Sequence, residues 1–147
     1  MKNLFFFLLI SVTFCLIGCG DDDAPAEFIT ATINGDSFDA ITIQDLVDNT
    51  GGEDLVFILG TDTGTGVAIG LNIIPSIGTG SFNVDPTDLT FTFTSGASAF
   101  FTEGTLVLTT NDTNDNVFEG TFDFVATDTV DPSNVFNITD GEFRITY

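Results

Sequence analysis

The chain has no histidine, no tryptophan, one tyrosine, two cysteines and only two basic residues among 147. Each shortage excludes something. Beyond Lys2 there is no lysine, so acid–base work at neutral pH would fall to carboxylates alone. A serine nucleophile would have no base to activate it. Two carboxylates could in form serve a glycosidase, but such sites usually offer aromatic platforms, which this composition lacks. Gly60-Thr61-Asp62-Thr63-Gly64-Thr65-Gly66 reads as a hairpin loop between strands, because no helix pattern follows it to cradle a phosphate. The sequence therefore reads as a non-enzyme with no cofactor. Twenty-two acidic residues give a net charge of −20, which repels nucleic acid and anionic lipid surfaces.

The N-terminus carries what the rest lacks, a continuous apolar run. Lys2 precedes residues 4–17, then Leu16-Ile17-Gly18-Cys19 and Gly20-Asp21-Asp22-Asp23 follow. The run is short of the roughly 20 residues that span a bilayer as a helix. It resembles a bacterial lipoprotein signal peptide ending in a lipobox; the alternative is an ordinary transmembrane anchor. The resemblance implies that residues 1–18 are removed and Cys19 is acylated, each buried methylene contributing about 0.8 kcal/mol to anchoring. Cys15 leaves with the signal, so the mature domain has no disulfide. Asp21, Asp22 and Asp23 resemble the acidic export signal of Bacteroidetes-type surface lipoproteins. They also read as a solvated tether held open by repulsion, and both can hold. Residues 19–27 reach at most about 30 Å. The implied address is the outer membrane, lipid-anchored and surface-exposed.

Residues 28–147 read as one β domain. Thirteen phenylalanines remain after residue 18, with enough Val, Ile and Leu to bury a core. Leu89-Thr90-Phe91-Thr92-Phe93-Thr94 alternates strictly, as a half-buried strand does. Residues 29–33 lead into Asn34-Gly35, a two-residue hairpin signal, and then Phe38. Leu55 to Leu59 is apolar on both parities and reads as a central strand. Val67, Ile69, Leu71 and Ile73 share a face, as do Leu106 and Leu108, Phe122 and Phe124, and Phe143, Ile145 and Tyr147. No helix of ten residues is expected; residues 44–48 could form one turn. An acidic-Gly-x-apolar-x-apolar frame recurs at Gly104, Gly120 and Gly141, with Gly80 a partial copy. Glycine there would supply positive φ or a bulge. The expected architecture is an antiparallel β-sandwich or open barrel of roughly eight to ten strands.

Residues 33–40 (Ile-Asn-Gly-Asp-Ser-Phe-Asp-Ala), 120–126 (Gly-Thr-Phe-Asp-Phe-Val-Ala) and 138–147 (Ile-Thr-Asp-Gly-Glu-Phe-Arg-Ile-Thr-Tyr) join the lipobox and acidic tether in a larger likeness. Together they resemble an uncharacterised family of small Bacteroidetes-type lipoproteins, a domain of unknown function. Asp36 and Asp39 stand where such proteins often carry lysine. The resemblance transfers no catalytic residues.

Two further motifs carry chemistry. Asp112-Thr113-Asn114-Asp115-Asn116 places oxygen side chains of Asp112, Asn114 and Asn116 at alternate positions, as Ca²⁺ loops do. Val117 stands where the helix-loop-helix template needs glycine, so an Asn/Asp hairpin turn is the competing reading. Asp128-Thr129-Val130 resembles the O-glycosylation acceptor motif of exported Bacteroidetes proteins, with Thr129 the acceptor; a plain turn is its alternative. The classes left are a surface-anchored binding or accessory module for a protein or glycan partner, a structural envelope lipoprotein without a ligand, and a Ca²⁺-binding β domain. Lack of tryptophan favours a protein over a glycan.

Without residues 1–18 the chain sets one arginine, Arg144, against 22 carboxylates, a charge of −21. Arg144 should face outward from the last strand, with Asp123 a candidate partner. Mutual repulsion should raise the mean carboxyl pKa on folding, so that stability rises as pH falls toward the carboxylate range. Salt should relieve the same repulsion. Tm measured from about 0.1 M to about 1 M NaCl, where the Debye length shrinks from about 10 Å to about 3 Å, should climb; a flat Tm would mean the charges are too widely spread to matter.

Overall fold

Every strand expected from alternation within the described residues forms, and the computed structural model arranges them as ten antiparallel strands. It describes residues 26–48, 55–83, 92–95 and 98–147; residues 89–91 of the alternating run lie outside these. The strands are β1 (Phe28–Ile33), β2 (Asp36–Asp39), β3 (Thr42–Asp48), β4 (Leu55–Asp62), β5 (Val67–Ile73), β6 (Gly80–Asn83), β7 (Thr92–Ser95), β8 (Ser98–Asp112), β9 (Val117–Asp128) and β10 (Val135–Thr146). A single 3-10 turn, Pro75–Ile77, joins β5 to β6. The hydrogen-bonded order is β2-β1-β10-β9-β8-β7-β5-β4-β3, with β6 added on β8.

This path folds over into two packed layers of six and four strands, a β-sandwich. Strand β8 is the hinge on one side. Its first residues pair with β7 of the small layer, and residues 105–108 pair with β6 of the large one. The opposite side closes through the chain itself. The Ala40 N–H donates to the Ile29 carbonyl at 2.9 Å, and the next N–H, of Ile41, donates to Thr61 at 3.0 Å. Two successive residues thus pass the backbone from β1 to β4. Gly60 permits the approach, since a Cβ there would meet Ile29 Cδ1 at 2.9 Å and Ala40 Cβ at 3.0 Å.

The core follows from parity. Val56 and Ile58 from β4, Ile69, Leu71 and Ile73 from β5, Leu106 and Leu108 from β8, and Phe118, Phe122 and Phe124 from β9 are all buried, as are Phe143 and Ile145 from β10. The Asn34-Gly35 hairpin forms with φ of 52° and 94°, the mirror-image turn that matches strand twist. Asn34 also ties the hairpin to β10, its Oδ1 accepting the Asn137 N–H at 2.8 Å.

Three expectations are corrected. Residues 44–48 form the end of β3, not a helical turn, because pairing from Thr42↔Thr61 to Asp48↔Leu55 satisfies their backbone. The framed glycines 104, 120 and 141 do not have positive φ; Asp140 does, at 52°. They lie inside long strands beside register shifts at Phe101/Glu103, Leu108/Thr110 and Ile138/Gly141. Their common role is room for a close approach of the neighbouring strand, its backbone and, at Gly120 and Gly141, its aromatic rings. A Cβ on Gly104 would meet Phe124 Cβ at 2.6 Å and the Asp123 carbonyl at 2.7 Å, one on Gly120 the Val107 carbonyl and then the Phe143 ring, and one on Gly141 the Phe122 ring and carbonyl. Finally, Arg144 does lie between buried Phe143 and Ile145, but its partner is Glu119, directly opposite on β9. Asp123 sits at the bulge instead and accepts the Asp140 N–H at 3.0 Å.

Gly120→Ala and Gly141→Ala should each cost about 1–3 kcal/mol or more, since backbone or rings must move. Gly64→Ala meets only the Asp62 carboxylate at 3.2 Å and should stay within about 0.5 kcal/mol. Phe143→Ala should cost about 3–5 kcal/mol, and Arg144→Ala, which ends a half-buried pair, about 1–2 kcal/mol. Denaturant titration ranks the five; Gly120→Ala as mild as Gly64→Ala would refute the close packing at Gly120.

Candidate functional site

The strands run between two poles, and the turns sort onto them. One pole gathers the β8–β9 turn, the end of β10 and the start of β1. Here Glu27 Oε1 accepts the Thr146 N–H at 3.0 Å, which fastens Glu27 beside the end of β10. The Tyr147 N–H donates to Asn116 O at 2.8 Å, and the Tyr147 ring stacks on Phe118 at 4.4 Å and 17°. Burial, then the charge of Asp112, raises the Tyr147 pKa. Val47, Pro75, Thr113, Asn116 and Tyr147 line a cavity of about 370 Å³. Cys19 and Asp21, Asp22 and Asp23 lie outside the described residues.

The acidic 112–116 loop belongs to this pole. Asp112 Oδ1 accepts the Asn114 N–H at 2.9 Å, the Asp115 N–H at 3.3 Å and Asn114 Nδ2 at 3.3 Å. Asn116 closes the turn with φ of 56°. The structure thus brings Asp112 and Asn114 together as acceptor and donor, and turns the Asn116 carbonyl to Tyr147. Among the described residues no three acidic, histidine or cysteine side chains converge as a metal cluster would. If Asp112 only builds the turn, Ca²⁺ and Mg²⁺ should shift Tm equally at matched ionic strength. A saturable Ca²⁺-preferring shift that Asp112→Ala abolishes would establish a metal site.

The other pole carries the 34–35, 63–66 and 129–134 turns, about 35 Å away along the twelve residues of β10. Asp128 is buried and organises the last of these. Its carboxylate accepts the Val130 N–H at 2.8 Å, the Asp131 N–H at 3.3 Å and Asn134 Nδ2 at 3.3 Å. Thr129 is exposed within that turn. Asp128 therefore has a structural task whether or not Thr129 is modified. Ile33, Phe38, Phe93 and Phe136 floor a cavity of about 340 Å³ here, with Asp36 and Asp62 at its rim. A third, open groove of about 590 Å³ crosses the outer face of the large layer, where Thr105, Asp123, Asn137 and Thr139 line it.

At four turn aspartates the pKa moves opposite to the rise expected from repulsion. Thr65 Oγ1 and the Gly64 N–H lower the Asp62 pKa; the Asn114 and Asp115 N–H groups lower Asp112. The Val130 N–H lowers Asp128 most, and the Ser133 side chain and N–H lower Asp131. Repulsion by Asp128 is the smallest of the influences on Asp131. Short local hydrogen bonds to the charged form outweigh like-charge repulsion at these groups.

No family model, no curated protein and no solved structure matches the chain.

A carboxyl whose folded pKa is lowered contributes its full stability above the unfolded value, about 3.9. That contribution is lost as pH falls through the folded value. Tm should therefore fall below about pH 4, and Asp128→Asn should make that decline shallower; an unchanged slope in the variant would exclude linkage through Asp128.

Proposed function

We propose that this protein is a cell-surface lipoprotein of the outer membrane, similar to the small Bacteroidetes-type lipoproteins, whose β domain is a binding or accessory module for another protein. The observation that carries the reading is Leu16-Ile17-Gly18-Cys19 running directly into Asp21-Asp22-Asp23. Cys19 supplies the acyl anchor, the aspartates the export signal, and residues 19–27 a short tether.

The polar arrangement of the domain supports this. A tether ending at Glu27 enters beside Thr146, so the opposite pole, with its cavity and the Thr129 turn, would face away from the membrane. A protein partner is favoured over a glycan because the chain has no tryptophan and its one tyrosine is stacked on Phe118. Removing the charge from the first residues after Cys19 separates anchoring from export. Cys19→Ala should abolish lipid labelling and normal processing. Replacing Asp21, Asp22 and Asp23 by Ala should leave labelling intact and reduce protease accessibility on whole cells. Equal accessibility in the parent and triple-Ala proteins would remove the surface-export reading.

A further inference from the structure

Strand β3 ends the hydrogen-bonded path, and among the described residues no strand pairs with its outer edge. Such an edge presents a row of N–H and C=O groups that can template another strand. It is also unusually apolar for an exposed edge: Leu46 is 63% exposed, Val47 39%, and Ile41, which leads into β3, 69%. Leu46 stands directly opposite Phe57 on β4. Leu55 and Leu59 flank Phe57 on the same face, and all three are half-buried. The apolar second parity of residues 55–59 is therefore an outer stripe of the small layer that continues to the open edge. Apolar residues gathered at a strand edge mark an interaction surface.

Charge selects the occupant. Exposed Asp45 lies within β3, and Asp36 and Asp39 lie on β2, which leads into it. The chain beyond residue 18 carries −21, and its only basic side chain, Arg144, is paired with Glu119. A second copy would bring two such charges together and place β3 against its own aspartates. A segment of opposite charge gains from the same field. We propose that β3 binds an extended, basic segment of a partner protein, one with Lys or Arg alternating with apolar residues, by strand addition. The partner's backbone would continue the small layer. Its apolar side chains would extend the Leu46–Phe57 stripe, and its cations would meet Asp45. This rests on the reading of the domain as a protein-binding module and names the partner's chemistry.

The test uses the full acylated chain in detergent and a labelled synthetic peptide, Lys-Val-Lys-Val-Lys-Val-Lys, with Glu-Val-Glu-Val-Glu-Val-Glu as its charge-reversed counterpart. Anisotropy should show the lysine peptide binding at least about tenfold more tightly. Leu46→Lys should weaken it at least about tenfold, whereas Thr121→Lys, the same charge on the exposed face of the large layer, should not. Hydrogen exchange should show amides 42–48 protected by the peptide in the parent chain. Equal binding of the two peptides, equal effects of the two lysine variants, or protection elsewhere than β3 would overturn the proposal. So would a dimer in sedimentation that Leu46→Lys dissociates, because the occupant would then be a second copy. A chain that binds as described yet is protected from protease on whole cells would sink the surface placement and leave the strand site standing.

Discussion

The large layer depends on glycines and phenylalanines that share space across neighbouring strands. Phe124 of β9 lies over Gly104 of β8, Phe143 of β10 over Gly120 of β9, and Phe122 of β9 over Gly141 of β10. Each glycine leaves the volume that a Cβ would occupy to a ring or backbone opposite. The strands carrying these pairs are the longest in the fold, and register shifts beside the glycines bend them. Bulges increase local twist, and a layer so curved can wrap the core rather than lie flat over it. Phe122 touches both Phe124 and Phe143 at centroid separations of 5.9 and 6.3 Å, so the three pairs act as one packed unit. Ring clearance, bulge and curvature are consequences of one local choice made three times.

Closure of the sandwich rests on a different contact of the same kind. Gly60 lets Ile29 and Ala40 approach β4, and the adjacent Ala40 and Ile41 N–H groups bond to opposite layers. The two ends of the strand order are thus consecutive in the chain. One end is left with β3, whose inner edge pairs along seven positions while its outer edge carries exposed Leu46 and Val47.

The acidic residues divide by task. Asp62, Asp112, Asp128 and Asp131 hold turns through hydrogen bonds two or three residues ahead. Glu119 holds Arg144 and also accepts the Thr110 hydroxyl at 2.7 Å, and Asp123 holds a bulge. A high negative charge is therefore compatible with a folded domain because many carboxylates face backbone donors rather than each other. In the 112–116 loop it is Asp112 Oδ1 that accepts the backbone hydrogen bonds.

By itself the sequence determined the strand class, the Asn34-Gly35 hairpin, the buried parity of β5, β9 and β10, and the high negative charge. These are local or additive properties: side-chain period, turn chemistry and net charge are read along the chain without knowing what lies opposite. Tertiary structure alone decided the rest. That residues 44–48 extend rather than coil depended on β4 as a pairing partner. The partner of Arg144 depended on a bulge that shifts register by residues no alternation reveals. Glycine in the repeated frame sits beside the expected bulges without positive φ, and its steric role stayed hidden because the backbone and rings it accommodates come from neighbouring strands. That β3 ends the strand path among the described residues could not be seen until the strand order was known, since an edge is defined by what pairs with it.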